Sequence, residues 1–158
     1  MLATTIGLWL VETATAVGWR GIVPLHSDHK QVRLKLGKPS VEMEDRMEFN
    51  RRDGKVVVFF YTKADTQNLK LSPSLAGKVL TLYFYPVKPR AYDLTALKKQ
   101  SRSVGRGVTS DGESMTSYDD GERGISYHFK KDDTRVWRIV YYAPRAEFAA
   151  YKVDGRAN

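Results

Sequence analysis

The sequence predicts an α+β domain in which short helices lie on one face of a curved antiparallel sheet. Strongly β-prone segments, rich in branched and aromatic side chains, recur at 55–61, 79–85, 125–130 and 136–142. Most of them are joined by short turns, which favours antiparallel pairing because parallel strands need long crossover connections. Helix start signals stand before each group of strands, near Asp28 and near Asp93.

Composition fits one folded domain. The chain has 158 residues, of which 42% are apolar, so it can bury a core and is not typical of a disordered segment. It contains no cysteine, which excludes disulfides, thiolate zinc ligands and a thiol nucleophile. The net charge of +8 favours an acidic partner, although a charge of this size also serves solubility. No stretch reaches the ~20 apolar residues of a spanning helix.

The N-terminal segment 1–16 predicts a signal peptide. Its first eleven residues are uncharged and mostly apolar, and Ala14-Thr15-Ala16 is a small-residue pattern typical of signal peptidase sites. Cleavage there would leave Val17 as the new N-terminus. A positively charged start is missing, since no Lys or Arg precedes Arg20, and a truncated signal peptide, with its start site placed too far downstream, would explain this. The alternative interpretation is an ordinary N-terminal core helix.

A short helix is predicted from 28 to 36. Ser27 can cap it, and Asp28 places negative charge in the first turn, where the helix dipole favours it. Gly37 supplies a left-handed end, and Pro39 prevents continuation. The apolar residues of this segment also alternate, as in a strand: Val32, Leu34 and Leu36. The start and stop signals favour the helix.

The remaining elements of the first half are strands. Segment 41–49 predicts an edge strand, and Asp53-Gly54 predicts a hairpin turn into the buried strand 55–61. Segment 63–77 is rich in Ser, Asn and Asp and is interpreted as a loop. A third strand, 79–85, ends at Pro86.

The second half repeats this order. Asp93 caps a predicted helix, followed by the segments that complete the chain: a Gly/Ser loop at 102–112, strands at 114–118, 125–130 and 136–142, and an unassigned tail. Helix, weak strand, hairpin and strand thus occur twice, which predicts two similar tandem units. The folded domain is predicted to span 17–145, and 146–158 to form a C-terminal tail in which Tyr151 and Val153 could dock.

Two motifs carry a resemblance to known proteins. Gly-Trp-Arg-Gly-Ile-Val-Pro-Leu-x-Ser at 18–27 and Leu-Gly-Lys-Pro at 36–39 resemble a group of uncharacterised exported bacterial proteins. That group is similar to the BamE/SmpA-like envelope proteins, with the β-lactamase-inhibitor-protein architecture. The resemblance implies an exported, non-enzymatic binding or scaffold domain of the cell envelope, located in the periplasm or secreted. This chain departs from the pattern at Gln31 and Lys35, and it lacks the cysteine of a lipid anchor.

The sequence offers no motif for catalysis, a metal or a cofactor. His26 and His29 flank the start of the first helix, His128 lies on a strand, and no H-E-x-x-H motif is present. No G-x-S-x-G motif is present either. No catalytic residue, metal site or cofactor is therefore predicted, which favours a protein that is not an enzyme. A small hydrolase is the third hypothesis, and it requires His29 or His128 beside a carboxylate and a hydroxyl.

The predicted binding residues are aromatic side chains of the strong strands, because Tyr and Trp dominate interface energetics. They are Tyr83, Tyr85, Trp137 and Tyr141. Neighbouring residues of a strand point to opposite faces, so some of these four are expected to be buried. The expected partner is a protein or an envelope component.

The alternative hypothesis is a cytoplasmic nucleic-acid-binding module. It combines the strand aromatics with a basic stretch formed by Lys98, Lys99, Arg102 and Arg106. This hypothesis requires segment 1–16 to be folded core rather than a signal peptide, and it requires the basic residues to converge on one face. The lead-in of the RNP1 motif is absent from the aromatic strands.

Overall fold

The computed structural model describes residues 17–89, 91, 93–101, 103–108, 112–130 and 133–153. The predicted signal peptide 1–16 lies outside the described residues. The predicted α+β class is confirmed, because the described residues form one open eight-stranded antiparallel sheet with four short α-helices. The sheet has the order β1-β2-β3-β4-β8-β7-β6-β5.

The first half contains a helix, four strands and two short helical segments. They are α1 His29–Leu36, β1 Val41–Glu42, β2 Arg46–Arg51, β3 Gly54–Phe60, α2 Lys63–Asn68, a 3-10 turn Pro73–Leu75 and β4 Val79–Pro86. The second half is similar. It contains α3 Leu94–Gln100, β5 Ser103–Val108, β6 Ser114–Asp120, β7 Ile125–Lys130, β8 Val136–Tyr142 and α4 Arg145–Ala149. The halves meet where β4 pairs with β8.

Each half thus places a helix before four strands, as two tandem units would, with one strand more per unit than predicted. The extra strand of the second unit is β5, in the segment predicted as a Gly/Ser loop, so that prediction was wrong. Glycine at position 105 allows β5 to lie close to β6, because a Cβ on Gly105 would stand 2.5 Å from the Oγ of Ser117. In the first unit, the predicted edge strand divides into β1 and β2.

Segment 63–77 was also wrongly predicted as a loop. Thr62 caps α2 by accepting a hydrogen bond from the Asp65 backbone, and the Asp65 carboxylate accepts one from the backbone of Thr62. This reciprocal capping box stabilises a helix start within a polar segment. Most of α4 falls in the predicted tail, and Lys152 pairs with Leu71 in an isolated bridge, so residues 145–153 pack against the domain. The rest of the tail, 154–158, lies outside the described residues.

The predicted helix α1 is present, but its cap differs from the prediction. Asp28 rather than Ser27 is the N-cap, and it forms a capping box with Gln31. Ser27 is buried, and its Oγ accepts a hydrogen bond from the backbone of Val23 at 2.9 Å. Gly37 ends the helix with a positive φ of 83°, as expected for a glycine at this place.

Helices α1 and α3 lie on the same side of the sheet, which we call the helical side. Their buried residues Val32, Leu36 and Leu97 belong to one cluster with strand side chains. The strands contribute Met47, Phe49, Val56, Val58, Phe60, Val79, Leu82, Tyr118, Ile125, Phe129, Val136, Ile139 and Tyr141. A smaller cluster lies beyond the ends of β3, β4 and β8, where Phe148 of α4 packs near Leu75.

Candidate binding surface

The side of the sheet opposite α1 and α3 carries a row of aromatic residues. Register places Tyr83 beside Val57 and Tyr85 beside Lys55, and strand alternation turns these side chains away from the helical side. Phe59, Tyr83, Tyr85, Trp137 and Arg138 together are called the aromatic face. The four rings of this set belong to neither cluster of buried side chains.

The rings of the aromatic face contact one another in sequence across three strands. Phe59 meets Tyr83 edge-on at 5.2 Å between ring centroids, and Tyr83 meets Tyr85 edge-on at 6.4 Å. Tyr85 in turn lies 5.7 Å from Trp137. Offset and edge contacts of this kind each contribute about 0.5–1.5 kcal/mol beyond burial. The row is therefore held in place before any partner arrives.

A β-bulge brings two consecutive residues of β8 to this face. In the β7–β8 ladder, Phe129 pairs with Val136 and His128 pairs with Arg138, so Trp137 is the extra residue. Strict alternation would place Trp137 and Arg138 on opposite faces. Because of the bulge, Trp137 contacts Tyr85 while Arg138 lies over Tyr83.

Arg138 is a positive charge placed among aromatic rings. Its guanidinium carbon lies 5.0 Å from the centroid of Tyr83 and 4.8 Å from that of Trp137. Its Nη2 donates to the Nδ1 of His128 at 2.8 Å and lies 3.6 Å from the sulfur of Met115. Within the described part of the chain, no carboxylate forms an ion pair with Arg138. Its positive charge is therefore stabilised by the ring faces of Tyr83 and Trp137 and by neutral acceptors.

His128 beneath Arg138 is neutral at physiological pH. Burial is the main cause that lowers its pKa from 6.5 to about 4, and the positive charge of Arg138 lowers it further. Asp119 acts in the opposite direction but does not outweigh them. Since Nδ1 accepts from Arg138, the ring proton belongs on Nε2.

At the β2–β3 side of the face, two cations share one carboxylate. Glu48 pairs with Lys55 at 2.7 Å and with Arg46 at 3.3 Å. Between these charges and the rings runs a shallow groove of about 320 Å³, lined by Val57 and Phe59 among others. The groove offers an apolar strip with a polar border, as protein interfaces do.

Of the four predicted binding residues, three come together and one does not. Tyr83, Tyr85 and Trp137 are half-buried neighbours on the aromatic face. Tyr141 is 9% exposed and faces the helical side, where it lies opposite Leu82 in the ladder, so it is removed from the candidate surface. Sequence analysis missed Phe59 and Arg138. The alternation of β3 was the available signal for Phe59, whereas Arg138 depends on the bulge.

The three histidines lie in separate places. His26 pairs with Glu147 of α4, and the Nε2 of His29 lies 3.0 Å from the backbone oxygen of Glu44. Within the described residues, no group of three or more His, Asp or Glu side chains is placed to hold a metal ion.

The surroundings of His128 do not form a hydrolytic triad. Ser117 lies opposite His128 in the β6–β7 ladder, but its Oγ donates directly to Asp119 at 3.1 Å. A triad needs the histidine between the hydroxyl and the carboxylate. Here the Nδ1 of His128 is instead occupied by Arg138.

The basic stretch of the nucleic-acid hypothesis does not reach the aromatic face. Lys98 and Lys99 belong to α3, which packs on the helical side through Leu97. Arg106 lies on β5, at the edge of the sheet, and Arg102 lies outside the described residues. The described members of the stretch are therefore separate from the aromatic face.

The fold and this surface define an α+β domain with an aromatic face on one side of its sheet. Comparisons of the chain with models of protein families, with curated proteins and with solved structures found no match. The resemblance to BamE/SmpA-like envelope proteins therefore stays a prediction. Among the described helices, none is both long enough and apolar enough to cross a bilayer.

Proposed function

We propose that this protein is an exported binding domain of the bacterial cell envelope, which holds a protein partner against its aromatic face without catalysis. The observation that carries the proposal is the contiguous row of Phe59, Tyr83, Tyr85 and Trp137 with Arg138 among them. Tyr, Trp and Arg are the residues that most often dominate binding energy at protein interfaces. Rigid side chains on paired strands lose little entropy on binding.

A protein suits this surface better than a nucleic acid does. Proteins that bind single strands stack bases on free aromatic ring faces. Here Tyr83 meets both Phe59 and Tyr85 edge-on. Arg138 already lies over Tyr83 and Trp137. Glu48 also pairs with the nearest cations, Arg46 and Lys55, and its carboxylate offsets part of their positive charge, which lowers the attraction for phosphates.

Export and the envelope location rest on the sequence. Segment 1–16 and its Ala14-Thr15-Ala16 pattern support cleavage before Val17, and the two motifs at 18–39 resemble exported proteins. The N-terminal mass of the protein from fractionated native cells tests this part. A mature form that begins at Val17 in the envelope or the medium is the expected result. Intact Met1 in the cytosol would refute export.

Photo-crosslinking tests the binding face. A benzoylphenylalanine probe at position 85 is expected to crosslink one protein in native cells. The same probe at Leu34, which is 76% exposed on α1, is the matched control on the helical side and is expected to give no such product. A product at position 85 that nuclease removes would show a nucleic-acid partner, and equal products at both positions would refute a specific face.

Variants sharpen this test. Arg138→Gln is expected to reduce the crosslink at position 85, because it removes the positive charge at the centre of the face. Lys63→Gln removes an exposed charge at the start of α2 and serves as the control for net charge. Equal crosslinking in wild type and Arg138→Gln would remove Arg138 from the binding surface.

A further inference from the structure

We propose a second binding site on the helical side of the sheet, which takes a small amphipathic anion: an apolar body with a phosphate or carboxylate head. The site is a cleft of about 680 Å³, within the usual range for small-molecule pockets. We call it the basic cleft. It lies on the side of the sheet opposite the aromatic face, so it does not depend on the function proposed above.

The floor of the basic cleft is apolar. It is formed by Phe84, Pro86, Val87, Val136 and Ile139. Val136 and Ile139 are buried side chains of β8, and Phe84 packs against the same core cluster. Val87 at the border is 65% exposed, so its apolar side chain is accessible from the cleft. An apolar ligand body would cover it.

The rim of the cleft is basic. Arg20, Arg51, Arg52 and Lys88 face one carboxylate, that of Asp53, so positive charge is in excess among the described lining residues. Asp53 is already used, since it accepts from Arg20 at 2.6 Å and lies 3.7 Å from the Nε of Arg51. Among the described residues, neither Arg52 nor Lys88 has an ion-pair partner. An anion would supply the missing negative charge.

Two of the cations are fixed in place. Arg20 lies over the indole of Trp19 at 5.0 Å, in a turn that the paired backbones of Trp19 and Ile22 close. Its φ of 50° is uncommon for a residue with a side chain and is followed by a positive φ at Gly21. Arg51 donates from Nη1 to the last carbonyl of α1, that of Leu36, at 3.2 Å.

Arg51 also has an unsatisfied donor. Its Nε is buried and has no hydrogen-bond acceptor, because Asp53 at 3.7 Å is too distant. Buried donors of this kind are uncommon and call for an explanation. A head-group oxygen within hydrogen-bond distance of this Nε would satisfy it, which links the geometry of the rim to an anionic ligand.

Calorimetric titration of the full chain with four probes tests the proposal. Hexyl phosphate and hexanoate carry both features, inorganic phosphate carries the head alone, and hexanol carries the body alone. At least one of the two amphipathic probes is expected to bind at least about tenfold more tightly than inorganic phosphate and than hexanol. The better of the two identifies the head group. Equal binding of all probes, or no binding of the amphipathic pair, would overturn the proposal.

Matched variants locate the site. Arg52→Gln is expected to weaken binding of the amphipathic probe at least about fivefold. Lys63→Gln, which removes an exposed charge from α2, should leave the affinity for this probe unchanged. Val87→Ser should weaken the amphipathic probe but not inorganic phosphate, and Leu69→Ser is its control on a 56% exposed leucine. Equal losses in a variant and its control would overturn the assignment to this cleft. Phe59→Ala alters the aromatic face alone, so binding of the probes to the basic cleft should be unchanged in this variant.

Discussion

Protonation of His128 is expected to destabilise the fold at acid pH. The ring is largely buried, and the groups that face it are Arg138 on β8, Met115 and Asp119 on β6. A proton on Nδ1 would place an imidazolium against the guanidinium of Arg138 and remove the acceptor of its hydrogen bond. In the unfolded chain the same imidazole takes up its proton near pH 6.5.

The size and sign of this effect follow from the lowered pKa. A fall from 6.5 to about 4 corresponds to at most about 3 kcal/mol, at about 1.36 kcal/mol for each pH unit. Because His128 is partly exposed, solvent screening reduces this, and we expect about 2 kcal/mol. Between pH 6.5 and pH 4 the unfolded state binds more protons, so the free energy of unfolding falls as the pH falls. Below the folded pKa the contribution becomes constant.

Urea unfolding of the wild type and of His128→Gln at pH 7.5, 6.0, 5.0 and 4.5 measures the contribution of His128 to the free energy of unfolding. The glutamine oxygen can still accept from Arg138 but does not titrate. His26 and His29 are present in both proteins, so the difference between the two pH profiles isolates His128. Wild type should lose about 2 kcal/mol more than His128→Gln between pH 7.5 and pH 4.5. Parallel profiles would show that His128 titrates near its ordinary pKa, and the buried arrangement would be refuted.

Three further substitutions test the local geometry. Gly124→Ala should destabilise the fold by roughly 2–4 kcal/mol, because its Cβ would stand 2.0 Å from a β8 carbonyl oxygen at a backbone φ of 67°. Gly121→Ala is the control, since its Cβ meets open space and its stability should be nearly unchanged. Thermal unfolding measures both variants. Asp28→Ala should cost about 1 kcal/mol through loss of the α1 capping box, measured by urea unfolding. Arg138→Gln should raise the pKa of His128, followed by NMR, since it removes a repelling charge.

Each of these has a result that would contradict it. Equal stability of the two glycine variants would show that the Gly124 turn is more open than described. An unchanged free energy for Asp28→Ala would mean that another group caps α1. If the pKa of His128 stays low in Arg138→Gln, burial alone sets it, and the charge of Arg138 contributes nothing measurable.

Local signals predicted the elements whose ends are set by single residues. Gly37 and Pro39 fixed the end of α1, and Asp53-Gly54 fixed the β2–β3 hairpin. The cap was misplaced by one residue because Ser27 and Asp28 are both good caps, and the choice depends on the turn that Ser27 closes with Val23. Strand β5 was missed since its glycines read as a loop, while pairing with β6 overrides that composition.

The candidate site was predictable as far as simple alternation holds. Tyr83 and Tyr85 are two apart on β4, so they share a face. By the same rule Trp137 and Tyr141 would share a face of β8, yet the bulge turns Trp137 to the aromatic face and leaves Tyr141 in the core. A bulge arises from the pairing of β7 with β8 and has no signal in β8 alone.

The junction of the two halves has a consequence for folding. Strands within each half follow one another in sequence, whereas β4 and β8 join residues as distant as Thr81 and Tyr142. Closing long loops costs more chain entropy, so we expect the β4–β8 pairing, which we call the seam, to form late. The aromatic face lies across the seam, since Tyr83 and Tyr85 belong to β4 while Trp137 belongs to β8. A bound partner would therefore clamp the two halves together and slow hydrogen exchange at the seam amides.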